Sequence, residues 1–409
     1  MPGAEQLRRW RQDASQLGPD LRAAAFLRIA RVLFAYDRAE ALVCFHTGLD
    51  AARALPERER DLLMGHARVV AAAIAPERAR EIEVLHLSEL HFGIDVLVKT
   101  MLDHGQVDAA IRWVLNEEES PSGFPFGTIP ALVRQTHDQG TQVALIRRSV
   151  RAWRISVAHE PPGTTWFLWS FAHLWNVLPE EESRAVVHEI VAWARTRVGV
   201  LTHAGYGDAV QFTSEGESTI FQLLHVLRVL DPALAESCVA QYPQLNAAAQ
   251  RYPDGLDSMQ READARAEAE KARRRERGEE EVCGGAVVTG GSDRDIQFAI
   301  RWMQARAAEE FETLVQYALD AYAEDTAPDR PNMASKEFWP STQYLRSVLY
   351  QAGKKMGSAA APLLDRAPDP DLRLFAAIEL EAALAGLPDF AGVRVENRQP
   401  RRKPAGPAV

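Results

Sequence analysis

One short pattern constrains the fold of this chain more than any other feature: a proline beside an acidic residue, placed between segments with the apolar period of a helix. It occurs at Leu55-Pro56-Glu57, Ala75-Pro76-Glu77, Leu178-Pro179-Glu180, Leu230-Asp231-Pro232 and Asp369-Pro370. Proline suits the first turn of a helix, where its missing N–H has no partner to lose, and the helix dipole favours a neighbouring acid there. The pattern predicts an all-α fold, in which antiparallel helical hairpins stack as an α-solenoid or a compact helical-repeat body.

Composition excludes several classes of function. The 409 residues are 46% hydrophobic and 25% charged, as in ordinary soluble proteins. A formal net charge of −10 disfavours attraction to a phosphate backbone, so nucleic acid is not the expected partner. The three cysteines lack metal-ligand spacing and favour the cytoplasm, and no run approaches the roughly 18–20 apolar residues that span a bilayer.

Breaks in composition divide the chain into five expected segments. They are an N-terminal helical-repeat block (1–120), a tryptophan-rich middle block (121–254), a charged helix with a glycine-rich linker (255–292), a C-terminal helical block (293–390) and a basic, proline-rich tail (391–409). The charged segment has almost no large apolar side chain, so a helix there is solvated and buries no core. The tail is expected to be disordered.

A helix start is predicted inside the middle block. Ser214 and Glu217 have the spacing of a capping box, in which a hydroxyl and a carboxylate each accept a hydrogen bond from an N–H of the first turn. The preceding stretch, residues 203–216, is interpreted as a loop, and Gly205-Tyr206-Gly207 as a turn that is too short to hold a phosphate.

One segment resembles a known helical repeat. Residues 97–115 have a glycine at a turn (Gly105), a small residue five positions later (Ala110) and an apolar residue at Val114. In these positions the segment is similar to a tetratricopeptide hairpin. The resemblance implies a pair of helices from a repeat protein.

A second segment resembles a HEAT repeat. Residues 369–387 have an apolar residue followed by arginine at Leu372-Arg373 and a small pair at Ala376-Ala377. Together the two resemblances imply a helical-repeat protein whose usual work is to hold protein or peptide partners.

Aromatic side chains concentrate in one predicted helix. One set recurs at i, i+4 and i+8: Phe167, Phe171 and Trp175. The other recurs at i, i+3 and i+7: Trp166, Trp169 and His173. The favoured interpretation is a central helix that is buried on both faces. The alternative is that Trp166, Trp169 and His173 line a groove for a peptide or ligand, and exposed tryptophans would support it.

A second candidate is a cationic stripe. Arg147, Arg151 and Arg154 recur at helical spacing, with Arg148 beside them. Such a stripe can bind a phosphate or an acidic segment through paired guanidinium contacts. The favoured alternative is a solvated surface whose arginines pair with nearby carboxylates.

The remaining candidates are weaker. Trp339 precedes a predicted helix and is interpreted as packing at its start or as an exposed anchor. His86, Glu89 and His91 do not share one helical face, so no metal site is predicted, and no cofactor or catalytic motif is present.

The leading hypothesis is a cytoplasmic, bacterial-type helical-repeat protein that acts as a non-catalytic interaction or scaffold module for a protein or peptide partner. One alternative is an all-α enzyme whose active site is assembled from separated helices, with His173 and the aromatic cluster included. A weaker alternative is the binding of an acidic partner or nucleic acid through the arginine stripe. An enzyme should bring titratable groups together in a closed pocket, whereas a scaffold should not.

Overall fold

The structure is a computed structural model of the chain. It describes residues 4–82, 93–116, 124–158, 164–206, 210–276, 298, 301–302, 305–326, 340–367 and 369–389. Within these residues the chain is helical apart from loops and one two-stranded antiparallel sheet, so the predicted all-α class is confirmed.

The first half of the chain contains short and medium helices. Their bounds are α1 (Ala4–Gln16), α2 (Pro19–Leu33), α3 (Arg38–Arg53), α4 (Glu57–Ile74), α5 (Pro76–Ala79), α6 (Ile94–Asp103), α7 (Val107–Asn116), α8 (Ile129–Gln135), α9 (Gln139–Ala158), α10 (Thr164–Leu174) and α11 (Glu180–Thr196).

The second half begins with the sheet and continues with helices. The bounds are β1 (Leu201–Tyr206), β2 (Val210–Ser214), α12 (Glu215–Gln222), α13 (Leu224–Leu230), α14 (Pro232–Gln241), α15 (Pro243–Arg251), α16 (Leu256–Glu276), α17 (Ala308–Asp325), α18 (Pro340–Met356) and α19 (Pro370–Leu384).

Each proline-acid pattern starts a helix, as the sequence predicts. Pro76, Pro232 and Pro370 are the first residues of α5, α14 and α19. Asp231 is the cap of α14, and its Oδ1 accepts from the backbone N–H of Leu234 over 3.0 Å. Pro56 lies one residue before its helix. The proline and the acid therefore act together as a start signal.

The chain forms two compact units. Unit 1 combines Met1–Gln106 with Ala286–Val409, and unit 2 is Val107–Gly285. This division differs from the segments expected from composition, because the N-terminal and C-terminal helices belong to the same unit.

Unit 1 is built around two helices that are buried along most of their length. Helix α2 packs against α3 and α4, and α19 packs against α18. Helix α2 also contacts α19, near the other end of the described chain. In an α-solenoid each repeat contacts only its neighbours. The contact between α2 and α19 joins helices that are far apart in the sequence, so the α-solenoid arrangement is not confirmed for unit 1.

Unit 2 has an aromatic core. Trp153 of α9 stacks on Phe167 of α10 with ring centroids 5.1 Å apart, and Phe167 in turn stacks on Phe171 at 5.7 Å. Phe126 meets Phe167 edge-on at 5.6 Å. These contacts fix α10 against α9 and against the turn before α8.

The predicted loop over residues 203–216 is wrong, because β1 and β2 pair there as a hairpin. Tyr206 lies opposite Val210, and Ala204 lies opposite Phe212. The buried side chains of β2 alternate with exposed ones, so Val210 and Phe212 face inward. Gly205 and Tyr206 belong to β1 and not to a turn, and Gly207, the third residue of the predicted turn, lies outside the described residues. A strand of this length with inward aromatic and β-branched residues is stabilised by packing and not by local turn preference.

The helix predicted after this segment is confirmed, with one correction. Ser214 caps α12, and its hydroxyl accepts from the backbone N–H of Glu217 over 3.2 Å. The carboxylate of Glu217 does not complete a capping box. It accepts instead from the N–H of Leu245, 2.9 Å away at the start of α15, and so joins the first turns of two helices.

Candidate functional site

Helix α10 has two aromatic faces in different environments. Phe167 and Phe171 are buried in the core of unit 2. Ser170, also buried, donates a hydrogen bond from its hydroxyl to the carbonyl of Phe126 over 2.6 Å. These contacts fix the rotation of the helix about its axis. As a result the other aromatic face points away from the core.

The second face of α10 forms an exposed aromatic surface, which we call the α10 surface: Trp166, Trp169 and His173. Trp166 is 60% exposed and Trp169 is 38% exposed. The two indoles meet edge to face, with centroids 6.3 Å apart and planes at 83°. The imidazole of His173 lies 4.8 Å from the ring of Trp169. The three rings thus form one continuous surface along the helix.

The polar atoms of the α10 surface are available to a ligand. Nδ1 of the exposed His173 donates to the carbonyl of Trp169 over 2.8 Å, which leaves Nε2 as the acceptor of the neutral ring. In the part of the chain that the structure describes, neither indole N–H of Trp166 or Trp169 has a hydrogen-bond partner. The surface therefore offers two donors and one acceptor beside its apolar rings.

The expectation that this helix is buried on both faces is wrong. Large aromatic side chains usually lie in protein cores, and this rule predicts that both faces of the helix are buried. The structure buries Phe167 and Phe171 but leaves Trp166 and Trp169 exposed. The helical spacing separated the two faces correctly, but spacing alone does not say which of two apolar faces meets a neighbouring helix.

The arginine stripe of α9 is paired with carboxylates of α11. Arg147 donates from Nε and Nη2 to the carboxylate of Glu182 over 2.9 and 2.6 Å. Arg154 makes the same bidentate contact with Glu189, with both distances 2.8 Å. The hydrogen bond from Arg147 holds the pKa of Glu182 below its ordinary value. Arg151 is exposed. The geometry matches the favoured interpretation, a solvated surface of ion pairs.

Two further candidates from the sequence cannot be placed. Trp339 lies outside the described residues, as do His86, Glu89 and His91. Among the residues that are described, no group of three or more His, Cys, Asp or Glu side chains is arranged to hold a metal ion.

Unit 1 contains a buried ionic cluster that the sequence analysis missed. Glu379 of α19 accepts from Arg28 and, over 2.9 Å, from Arg31, and all three side chains are at most 3% exposed. Arg31 also donates to the carbonyl of Pro388 over 3.2 Å. Full burial of charged residues is rare unless they are paired. The cluster therefore joins α2 to α19 at one defined position.

The electrostatics of the cluster follow from burial and from its arginines. Burial raises the pKa of the Glu379 carboxyl, but the charges of Arg31, Arg28 and Arg346 outweigh it and hold the pKa at about 2. Buried His66 of α4 lies in the same field. Burial and then the charges of Arg28, Arg346 and Arg31 hold its pKa well below the ordinary value, so it is neutral at pH 7.

One sequence signal for this cluster was present. Arg28 and Arg31 interrupt an apolar helical stretch, and Glu379 interrupts another. A charge inside an apolar run indicates either a break or a buried pair. Single-sequence reasoning does not join two such positions that are 348 residues apart.

Comparisons of the chain with protein-family models, with curated proteins and with solved structures return no significant match. The tetratricopeptide-like and HEAT-like segments therefore remain predictions. Among the described helices, none has both the length and the apolar character that crossing a bilayer requires.

Proposed function

We propose that the protein is a cytoplasmic, non-catalytic interaction module that holds a protein or peptide partner on the α10 surface. The observation that supports this proposal is the exposure of Trp166 and Trp169, at 60% and 38%, on a helix whose opposite face is fixed in the core. Tryptophans contribute strongly to binding energy where they become buried at an interface. A partner that covers both indoles removes a large apolar area from water.

The α10 surface is preorganised for binding. Its helix is held by the stack of Phe167 on Trp153 and by the hydrogen bond from Ser170. A surface on a rigid element loses little conformational freedom when a partner binds, so more of the contact energy contributes to affinity. The indole N–H groups and Nε2 of His173 can form hydrogen bonds with a peptide backbone, so the surface can select the orientation of its partner.

The two alternatives have less support. An enzyme built around the aromatic cluster and His173 should enclose these groups, but they lie on an open surface. The titratable groups that do converge, Arg28, Arg31 and Glu379, form ion pairs in unit 1. Binding of an acidic partner or nucleic acid through Arg147 and Arg154 first requires their separation from Glu182 and Glu189.

A co-purification experiment with surface variants tests the proposal. The tagged chain is isolated from its native lysate at low and high salt in three forms: wild type, Trp166→Ser with Trp169→Ser, and Val229→Ser. Val229 is a matched control, because it is an apolar side chain of unit 2 that is 64% exposed and lies on α13. A stoichiometric protein that survives high salt with wild type and Val229→Ser, and is lost with the double variant, supports the proposal. Equal retention by all three forms, or no retained protein, contradicts it.

A further inference from the structure

A groove on unit 1 differs in character from the α10 surface, which belongs to unit 2. Its volume is about 380 Å³, and it is lined by side chains from α1, α2 and α3: Arg8, Arg11, Gln12, Ser15, Phe26 and Thr47. This volume lies in the range of about 300–1,000 Å³ that is usual for small-molecule sites. The groove is therefore large enough for a small organic molecule.

Helix α1 turns its polar face toward this groove. Its four lining residues follow the spacing i, i+3, i+4 and i+7, which places them on one side of the helix. The opposite side carries Trp10 and Ala14, which are buried in the core, as is Leu17 directly after the helix. Packing of the apolar side thus fixes the rotation of the helix, so that both arginines project from the side that lines the groove.

The cations of the groove have unused hydrogen-bonding capacity. Arg11 pairs with Glu40 through Nη1 alone, and a guanidinium group has five N–H donors. Arg8 has neither an ion-pair partner nor a hydrogen-bond partner within the described ranges of the chain. Two guanidinium groups three residues apart therefore line one groove, and one of them has Glu40 as its partner. An anion matches this charge, and a carboxylate fits the planar fork of arginine.

The rest of the lining favours an anion with an apolar body. Phe26 of α2, which is 5% exposed, also lines the groove and supplies its apolar contact. The hydroxyl of Ser15 donates to the carbonyl of Arg11 over 2.7 Å and that of Thr47 donates to the carbonyl of Val43 over 2.9 Å, so neither proton is left for an anion. Gln12 adds a side-chain amide that can donate to one. A molecule with one charged end and one apolar end therefore suits the two arginines, Gln12 and Phe26.

We propose that this groove binds a small organic carboxylate, with the carboxylate on Arg8 and Arg11 and the apolar part against Phe26. The proposal goes beyond the interaction function of the α10 surface and does not rest on it. The two surfaces belong to different units, so a change in one leaves the residues of the other intact.

The test uses ¹⁹F NMR of 4-fluorobenzoate with the full-length protein, and 4-fluorobenzamide as the uncharged probe of the same shape. We expect the carboxylate signal to broaden on addition of wild-type protein and the amide signal to stay sharp. Arg8→Gln should weaken binding about fivefold, the effect of losing one solvent-exposed charged contact. Arg53→Gln removes an exposed arginine of α3 that does not line the groove, and it should change the affinity less than about twofold.

Four results would overturn the proposal. They are an unchanged carboxylate signal with wild-type protein, equal broadening of the amide signal, equal affinity of wild type and Arg8→Gln, and equal weakening by Arg8→Gln and Arg53→Gln. Arg8 is exposed on the surface of α1, and circular dichroism of the variant confirms that the helices are retained.

Discussion

Arg31 donates from Nη2 to Oε2 of Glu379 over 2.9 Å, although 348 residues separate the two in the chain. Arg28 donates to the other oxygen of the same carboxylate. Helices near the two ends of the described chain are thereby joined inside unit 1. A buried ion pair contributes little net stability compared with apolar packing, but its geometry accepts only one alignment of the two helices. The cluster thus specifies how α2 meets α19.

Loss of the Glu379 charge should destabilise unit 1. In Glu379→Gln the neutral amide replaces the carboxylate that lies between two buried guanidinium groups. Removal of one partner of a buried ion pair costs about 3–5 kcal/mol. We expect the free energy of unfolding, measured by urea denaturation of the full chain, to fall by about 3 kcal/mol.

Glu312→Gln is the matched control for this experiment. Glu312 pairs with Arg366 in the same unit, but both side chains are more than 40% exposed. Exposed ion pairs contribute about 0–1 kcal/mol, so this variant should stay within about 1 kcal/mol of wild type. Equal effects of the two substitutions would show that burial of the Glu379 pair has no energetic consequence.

Acidification should weaken the fold as His66 becomes protonated in the unfolded state. Its pKa is held well below the ordinary value of 6.5 in the folded protein, so the unfolded chain binds more protons below that pH. The stabilisation is present above pH 6.5 and is lost as the pH falls, with a slope of up to about 1.4 kcal/mol per pH unit. His66→Gln should flatten this slope between about pH 6.5 and pH 5 in urea denaturation. A slope that is identical in wild type and variant contradicts the burial of a neutral His66.

Replacement of Gly255 by alanine should destabilise unit 2 strongly. This glycine has a φ of 61°, and a Cβ there would lie 2.0 Å from the carbonyl oxygen of Phe221. Gly386 has a φ of 70°, but a Cβ there would meet nothing within 4 Å. Gly386→Ala carries only the conformational penalty of about 1 kcal/mol, whereas Gly255→Ala adds a steric clash with the backbone. Thermal unfolding should give a clearly larger loss for Gly255→Ala, and equal losses would contradict the close approach of α12 to this turn.

The sequence predicted the helices because their start signals are local. Asp231 caps α14 and Pro232 is the first residue of that helix, so the start signal lies within a few residues of the helix that it starts. The hairpin was missed because its stability comes from contacts that Tyr206 and Phe212 make with Phe221 of α12. Such contacts are absent from any short window of sequence.

The sequence predicts the candidate site only in part, because its exposure depends on tertiary contacts. Helical spacing placed Trp166, Trp169 and His173 on one face, which the structure confirms. Their exposure follows from the packing of Trp153 against the opposite side of α10, at Phe167, and that packing is a tertiary contact. Charge balance favours arginines that pair with nearby carboxylates, but the sequence does not say that the partner of Arg147 is Glu182 of another helix.

The most direct test of the proposed function is hydroxyl-radical footprinting of the native assembly. The protein is oxidised briefly, alone and together with whatever co-purifies with it, and the oxidation of each tryptophan is measured by mass spectrometry. We expect Trp166 and Trp169 to react readily in the isolated protein and to be protected in the assembly. Trp153, buried in the core of unit 2, should react little in both samples. Equal oxidation of Trp166 and Trp169 with and without the partner would show that the α10 surface is not where a partner binds.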